Sequence, residues 1–271
     1  MNVRIGVLGP LEVTVLGTSV VPSAPKPRNV LALLAVRAGQ VVPVPVILEE
    51  LWDGHPPPSA LSTLQTYILQ LRRLLVAALA GTADPDGGAK DLLRTAFGGY
   101  QLAAPPQACD VTEFDRLGQL GGRALELGDP ATAERLLGEA DRLWRGPVLL
   151  DVDFGPRLQA EARYLEDRRI ALVERRTEAG LAIGRHSELL GELAALTTEY
   201  PLNERFCEQY VRVLHRCGRS VDALGVLRRI RRRLATELGA EPGPWLRELE
   251  LAILGAEPSW DGGRRPAQLV P

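Results

Sequence analysis

The sequence is poor in the groups that usually do chemistry. It has three cysteines, three histidines and one methionine in 271 residues. Cys109, Cys207 and Cys217 are odd in number and widely spaced. They form no CxxC and no metal-ligand pattern with His55, His186 or His215, which argues against a disulfide framework or a zinc site and for thiols in a reducing compartment. There is no GxxxxGK(S/T), no GxGxxG behind a strand, no HExxH and no GxSxG, so the common nucleotide, zinc-protease and serine-hydrolase sites have no candidate. No apolar run is long enough to span a bilayer. The N-terminus goes straight into a strand pattern without the charged segment, apolar core and cleavage site of a secretory signal. The expectation is a cytoplasmic protein that is not an enzyme and holds no cofactor or metal. A net charge of −2 also argues against a protein that coats nucleic acid indiscriminately.

One further absence is local. No Asp or Glu occurs from Gly54 through Ala83. Within that stretch, residues 59–79 read SALSTLQTYILQLRRLLVAAL. Leu61, Leu64, Ile68, Leu71, Leu75 and Ala78 follow steps of three and four, which stacks them on one face of a helix. Ser59, Ser62, Thr63, Thr66, Gln70 and Arg73 project from the other side. These hydroxyls, an amide and a guanidinium can bond to phosphate oxygens and to base edges in the major groove. A solvated face over a core is the other reading of any amphipathic helix. Solvated faces usually carry Glu and Lys, however, because those residues favour helix. Leu69 flanks the polar face, and simple amphipathicity does not account for it.

The neighbours supply context. Residues 3–8 and 11–16 are short β-branched runs separated by Gly9-Pro10, with Gly17 following. They read as two antiparallel strands, with Val20-Val21 a candidate third. Residues 28–38 (RNVLALLAVRA) predict a buried helix ended by Gly39. Lys26 and Arg28 stand at its start, where backbone N–H groups attract anions. A phosphate contact and a solvated pair of charges are both open there. Residues 46–52 (VILEELW) predict a second helix, ended by Asp53-Gly54 and a break at Pro56-Pro57-Pro58. Helix, break and helix with a polar outer face is the order of a helix-turn-helix. Residues 81–88 read as a Gly- and Pro-rich loop. Residues 92–102 (LLRTAFGGYQL) read as a hairpin turning at Gly98-Gly99, a wing from which Arg94 and Thr95 could reach the backbone or minor groove. Residues 1–106 carry eight Lys/Arg against seven Asp/Glu, and the remainder 24 against 27. So small an excess makes placement decisive: Lys26, Arg28, Arg72, Arg73, Lys90 and Arg94.

The second half is helical in pattern throughout. Leu127-Gly128-Asp129, Ile183-Gly184-Arg185 and Cys217-Gly218-Arg219 are turns of one form. Gly184 and Gly218 lie 34 residues apart, the period of tetratricopeptide-type helix pairs. The longer first interval holds an irregular connection, residues 143–156. The run Arg228, Arg229, Arg231, Arg232 and Arg233 circles its helix and reads as a solvated face paired with acids, in preference to a second DNA site. Trp144 and Trp245 read as inter-helix core. The last residues, 255–271, are rich in Gly, Pro and charge and read as disordered.

The stretches LEELW, LSTLQTYILQLRRLL and GGYQL, in that order, closely resemble the OmpR-type winged-helix DNA-binding domain of the Streptomyces antibiotic regulatory protein family. LWRGPVL, LEDRRIALVERR and ALGVLRRIRRRLATELGAEPGPWLRELELAIL are similar to that family's bacterial transcriptional activator domain. Pro43-Val44-Pro45 departs from the hydroxyl or acidic helix start usual there. The expected architecture is an α+β winged helix-turn-helix domain over residues 1–104, an all-α tetratricopeptide-like domain over 109–254, and a tail over 255–271. In this arrangement Ser62, Thr66, Gln70 and Arg73 face bases or flanking phosphates. Thr63, Arg72, Lys26 and Arg28 grip the backbone, and Arg94 and Thr95 act from the wing. The resemblance implies a nucleoid-associated activator of an antibiotic (secondary-metabolite) gene cluster. It further implies binding of promoter direct repeats near the −35 region by two protomers side by side, and contact with RNA polymerase holoenzyme including its sigma factor. It also implies a small form, since the chain stops before the ATPase module of larger members could begin and no receiver domain precedes the winged helix. A different class of function stays open: a helical protein-interaction scaffold or ligand sensor whose winged helix is a docking module.

Overall fold

The structure, a computed structural model, describes residues 2–255. The tail expected to be disordered lies, apart from Gly255, outside the described residues. The chain opens with a three-stranded antiparallel sheet in the order β1 (Val3–Gly6), β2 (Glu12–Val15), β3 (Thr18–Ser19). Val3, Ile5, Val13 and Val15 are buried, the alternation that a sheet with one covered face requires. The third strand is Thr18–Ser19 and not the expected Val20-Val21. The two-residue turn before it, Leu16-Gly17, has φ of 50° and 85°, as a type I′ hairpin demands.

Three helices follow: α1 (Pro25–Val36), α2 (Val44–Trp52) and α3 (Ala60–Ala78). Pro25 and Pro27 open α1 and Pro45 opens α2, where a missing N–H costs nothing. Asp53 takes the left-handed conformation that ends α2. Two elements were not anticipated. Val41–Pro43 forms strand β4, and Pro85–Leu92 forms helix α4 in the stretch expected to be a loop. Its start and stop signals are nevertheless in the sequence. The Asp84 side chain accepts the Gly87 N–H, Pro85 opens the helix, and Lys90 sits in its last turn. Strands β5 (Leu93–Ala96) and β6 (Gly99–Leu102) then form the wing, with β4 completing a second sheet in the order β4-β6-β5. The wing turns at Phe97-Gly98, one residue earlier than expected.

The helical half begins with a 3₁₀ turn (Pro106–Ala108) and α5 (Asp110–Glu126), then α6 (Pro130–Asp141) and α7 (Pro156–Ala182). After them come α8 (His186–Glu199), α9 (Glu204–Arg216), α10 (Ser220–Arg233), a π-helical turn (Leu234–Leu238) and α11 (Pro244–Ile253). Gly128, Gly184 and Gly218 all have φ between 75° and 81°, the left-handed cap that lets a helix stop and turn.

The chain packs as two compact units. Among the described residues one comprises 2–127 with Arg135–Val173, the other Gly128–Glu134 with 174–255. Packing therefore divides the chain inside the helical half, away from the 104/109 linker expected as a boundary. Carboxylates explain the difference. In the first unit Asp110 accepts the Val7 N–H at 2.9 Å and the Leu8 N–H at 3.0 Å. Asp151 accepts the Leu11 N–H at 2.7 Å. Glu50, 3% exposed on α2, accepts the N–H groups of Gly155, Arg157 and Leu158 at 2.7, 2.8 and 3.0 Å. These are unpaired donors at the start of α7, where a negative charge also meets the positive end of the helix dipole. Gly155 is required there, because a Cβ would stand 2.1 Å from the Glu50 carbonyl oxygen. Trp144 packs edge-on against Phe114 and beneath Arg169, as expected of core.

In the second unit Cys207, Val211, Leu214, Ala223, Val226, Leu227, Ile230, Leu246 and Leu249 form a core between α9, α10 and α11. The 34-residue step recurs in detail. Arg185 bonds Glu188 and Arg219 bonds Asp222, each one turn into a new helix. Arg231 pairs with Glu250 and Arg233 lies 4.0 Å from Glu237, so two members of the arginine run have acidic partners. Trp245 corrects an expectation. It is 42% exposed, in the first turn of α11 at the edge of the line that buried Leu246 and Leu249 define.

Two outcomes follow from this packing. Glu50→Gln should lower stability by roughly 2 to 3 kcal/mol, since an amide N–H₂ would face backbone donors; a thermal or urea melt within error of the parent would refute the capping role. In the folded protein Cys217 is exposed, whereas Cys109 and Cys207 are buried and desolvation pushes both thiols up to about 11. Alkylation at neutral pH should therefore label one thiol per chain by mass spectrometry, and all three after denaturation.

Candidate nucleic-acid interface

The candidate site is the outer side of α3 with the wing beside it. Ala60, Leu64, Ile68, Leu71, Leu75 and Ala78 are buried, so one side of the helix is committed to the core. Leu61 is not among them, although the sequence placed it there. It is half exposed: it stands in the first turn of α3, about 20° of rotation from buried Ile68, at the edge of the buried line. The outward rows are Leu61-Gln65-Leu69 and Ser62-Thr66-Arg73, with Thr63, Gln70 and Arg72 half-buried on the flanks. Gln65 was missed by the sequence reading, although four-residue spacing from Leu61 and Leu69 pointed to it.

The hydroxyls have a defined polarity. Ser62 Oγ donates to the Ser59 carbonyl at 2.9 Å, and Thr66 Oγ1 donates to the Ser62 carbonyl at 3.0 Å. Their oxygens are then presented outward as acceptors, which suits amino groups of adenine and cytosine. Arg73 is exposed and makes no hydrogen bond or ion pair among the described residues.

Arg72 does something the sequence did not disclose. Its Nε and Nη2 donate to the Leu93 carbonyl at 3.2 and 2.9 Å, and Nη2 also donates to Thr95 Oγ1 at 2.9 Å. The guanidinium fork thus ties strand β5 to α3. Two residues expected to touch DNA, Arg72 and Thr95, are bonded to each other and set where the wing stands. Arg94 is exposed, with Nε donating to the Asp91 carbonyl at 2.8 Å. At the tip, Phe97 is 98% exposed. It sits at φ 48° beside Gly98 at 73°, a turn that normally takes Asn or Gly at its first central position. No periodicity could have marked it, since it lies in a turn.

Lys26 and Arg28 have partners within the protein. Lys26 Nζ donates to the Leu51 carbonyl and lies 5.7 Å from the Trp52 ring centroid. It is a cation at the negative end of α2. Arg28 donates to the Pro22 carbonyl at 3.1 Å and to the Asp151 carbonyl at 2.9 Å, and pairs with the Asp151 carboxylate at 3.4 Å. Both charges are engaged inside the first unit, so neither stands free at the start of α1. No helix among the described residues is long and apolar enough to cross a membrane.

Known proteins share this arrangement. Residues 109–254 match the family model of the bacterial transcriptional activator domain, and residues 18–85 that of the C-terminal domain of transcriptional regulatory proteins. The chain is 47% identical over 258 residues to the regulatory protein DnrI of Streptomyces peucetius, covering 95% of this chain and 94% of that one. It is 37% identical to the transcriptional regulator RedD of Streptomyces coelicolor, covering 94% and 71%. The structure of Mycobacterium tuberculosis EmbR, solved with a low-affinity phosphopeptide, superimposes with a TM-score of 0.85 at 36% identity, over 95% of this chain and 66% of that chain. A winged helix-turn-helix followed by an activator domain, shared with DnrI over nearly the whole of both chains, places this chain in the Streptomyces antibiotic regulatory protein family of transcriptional activators.

Proposed function

We propose that the chain binds a specific promoter sequence through the outer side of α3 and activates transcription of an antibiotic biosynthetic gene cluster. The carrying observation is the acid-free outer face of α3, backed by a buried apolar side and flanked by a wing that Arg72 holds in place. Ser62, Gln65, Thr66, Gln70 and Arg73 face base edges and flanking phosphates in the major groove. Thr63 supports them from the flank, and Arg94 and Phe97 reach the duplex from the wing. Arg72 and Thr95 act by positioning that wing.

Family membership supports the rest of the reading. Two protomers bind side by side on direct repeats near the −35 region, and the helical segment 109–254 contacts RNA polymerase and its sigma factor. The protein works in the cytoplasm on the nucleoid, by binding and not by catalysis. The names of DnrI and RedD, a regulatory protein and a transcriptional regulator, agree with that class of work.

Gel-shift titration of the purified chain on the promoters of its neighbouring genes tests the assignment. Arg73→Ala should weaken operator binding by about tenfold. Arg72→Lys keeps the charge and loses the fork, so it should weaken binding with the salt slope unchanged. Equal affinity of both variants and the parent would overturn this orientation. Phe97→Asn should raise stability by about 1 kcal/mol by relieving the positive-φ strain and should lower operator affinity; a variant that is stabilised and binds equally well would remove the wing tip from the interface.

A further inference from the structure

We infer that Leu61 and Leu69 are specificity determinants that read the C5-methyl groups of thymines in the operator. The inference rests on the major-groove reading of α3 given above and extends it to the two outward residues that hydrogen bonding leaves unexplained. Leu61 is 50% exposed and Leu69 49% exposed. They stand at the two ends of one four-residue row with Gln65 between them, eight residues and about 12 Å apart along the helix. The adjoining row is Ser62, Thr66 and Arg73, so Leu69 stands within, and Leu61 at the edge of, the face that presents hydroxyls, an amide and a cation to a duplex.

Large aliphatic side chains on an exposed helix face keep apolar surface in water. Nothing in the amphipathic design of α3 calls for them, since its buried line is complete from Ala60 to Ala78. In the major groove, thymine alone of the four bases carries a methyl group, and apolar contact with it separates T·A from C·G without a hydrogen bond. The charge of the surrounding face selects the occupant. A face without a carboxylate and with Arg73 at its end suits a polyanion, and the apolar element of DNA at groove depth is the thymine methyl. Two such contacts would supplement acceptors at Ser62 and Thr66 that cannot see a methyl.

The test uses the full chain and a duplex selected by it from a random-sequence pool. The selected site is resynthesised with each thymine replaced in turn by deoxyuridine, which removes the methyl and keeps every hydrogen-bonding group. Covering one methyl is worth about fourfold in affinity. One or two positions should therefore lose about that factor with the parent protein. Leu69→Ala or Leu61→Ala should lose a similar factor on the thymine duplex and become indifferent to deoxyuridine at its own position. Leu69→Met, which keeps apolar reach, should retain the sensitivity, and melting curves of these surface variants should match the parent. Parent affinity unmoved by deoxyuridine at every position, as expected if the leucines meet a second protein copy instead, would overturn the inference and leave DNA binding standing. Sensitivity that persists unchanged in both alanine variants would overturn it as well. Failure to enrich any sequence would overturn both this inference and the proposed function.

Discussion

The burial of one side of α3 fixes what its other side can touch. Leu64, Ile68, Leu71 and Leu75 each contribute roughly 2 kcal/mol by leaving water, and together they leave the helix no freedom to roll. The outward rows are consequently set by the inward ones. Every role assigned to Ser62, Gln65, Thr66, Leu69 or Arg73 depends on the rotational position those leucines impose. The guanidinium of Arg72 extends the constraint to the wing. A bidentate fork on a backbone carbonyl and a hydroxyl resists rotation in a way a single ammonium contact does not.

A second set of constraints ties the winged helix to the first helices of the activator segment within one compact unit. It is made of carboxylates that accept backbone N–H groups: Asp110 from Val7 and Leu8 just after β1, Asp151 from Leu11, and Glu50 from the start of α7. Charge-assisted bonds of this kind hold their geometry more tightly than neutral ones. Buried donors would otherwise be left unpaired, which is costly. Glu50 belongs to the LEELW stretch, so a motif legible as part of the helix-turn-helix is also the cap of a helix more than a hundred residues away.

Much of the architecture was legible in local signals. The helix period of residues 59–79, the first two strands on either side of Gly9-Pro10, the wing hairpin to within one residue of its turn, and the glycine turns at 128, 184 and 218 depend on near neighbours alone. Helix α4 escaped because its glycines suggested loop, although Asp84 and Pro85 announce a helix start. Strand β4 escaped because three residues carry too little pattern, and its existence depends on β6, almost sixty positions later.

By itself, then, the sequence determined the order of most of its elements and the chemical character of the α3 face, because periodicity, turn residues and the absence of acids act over a few residues, while the class of protein was carried by the resemblance of its ordered motifs. Tertiary structure alone decided where the long cations go. Lys26, Arg28 and Arg72 are alike in sequence as basic residues near a presumed DNA surface. Their partners include oxygens 25, 123 and 21 positions away, and only the folded chain brings those within reach. The same holds for Leu61 and Trp245, each left half exposed at the edge of a buried line where the sequence expected core, a choice made by packing and not by composition.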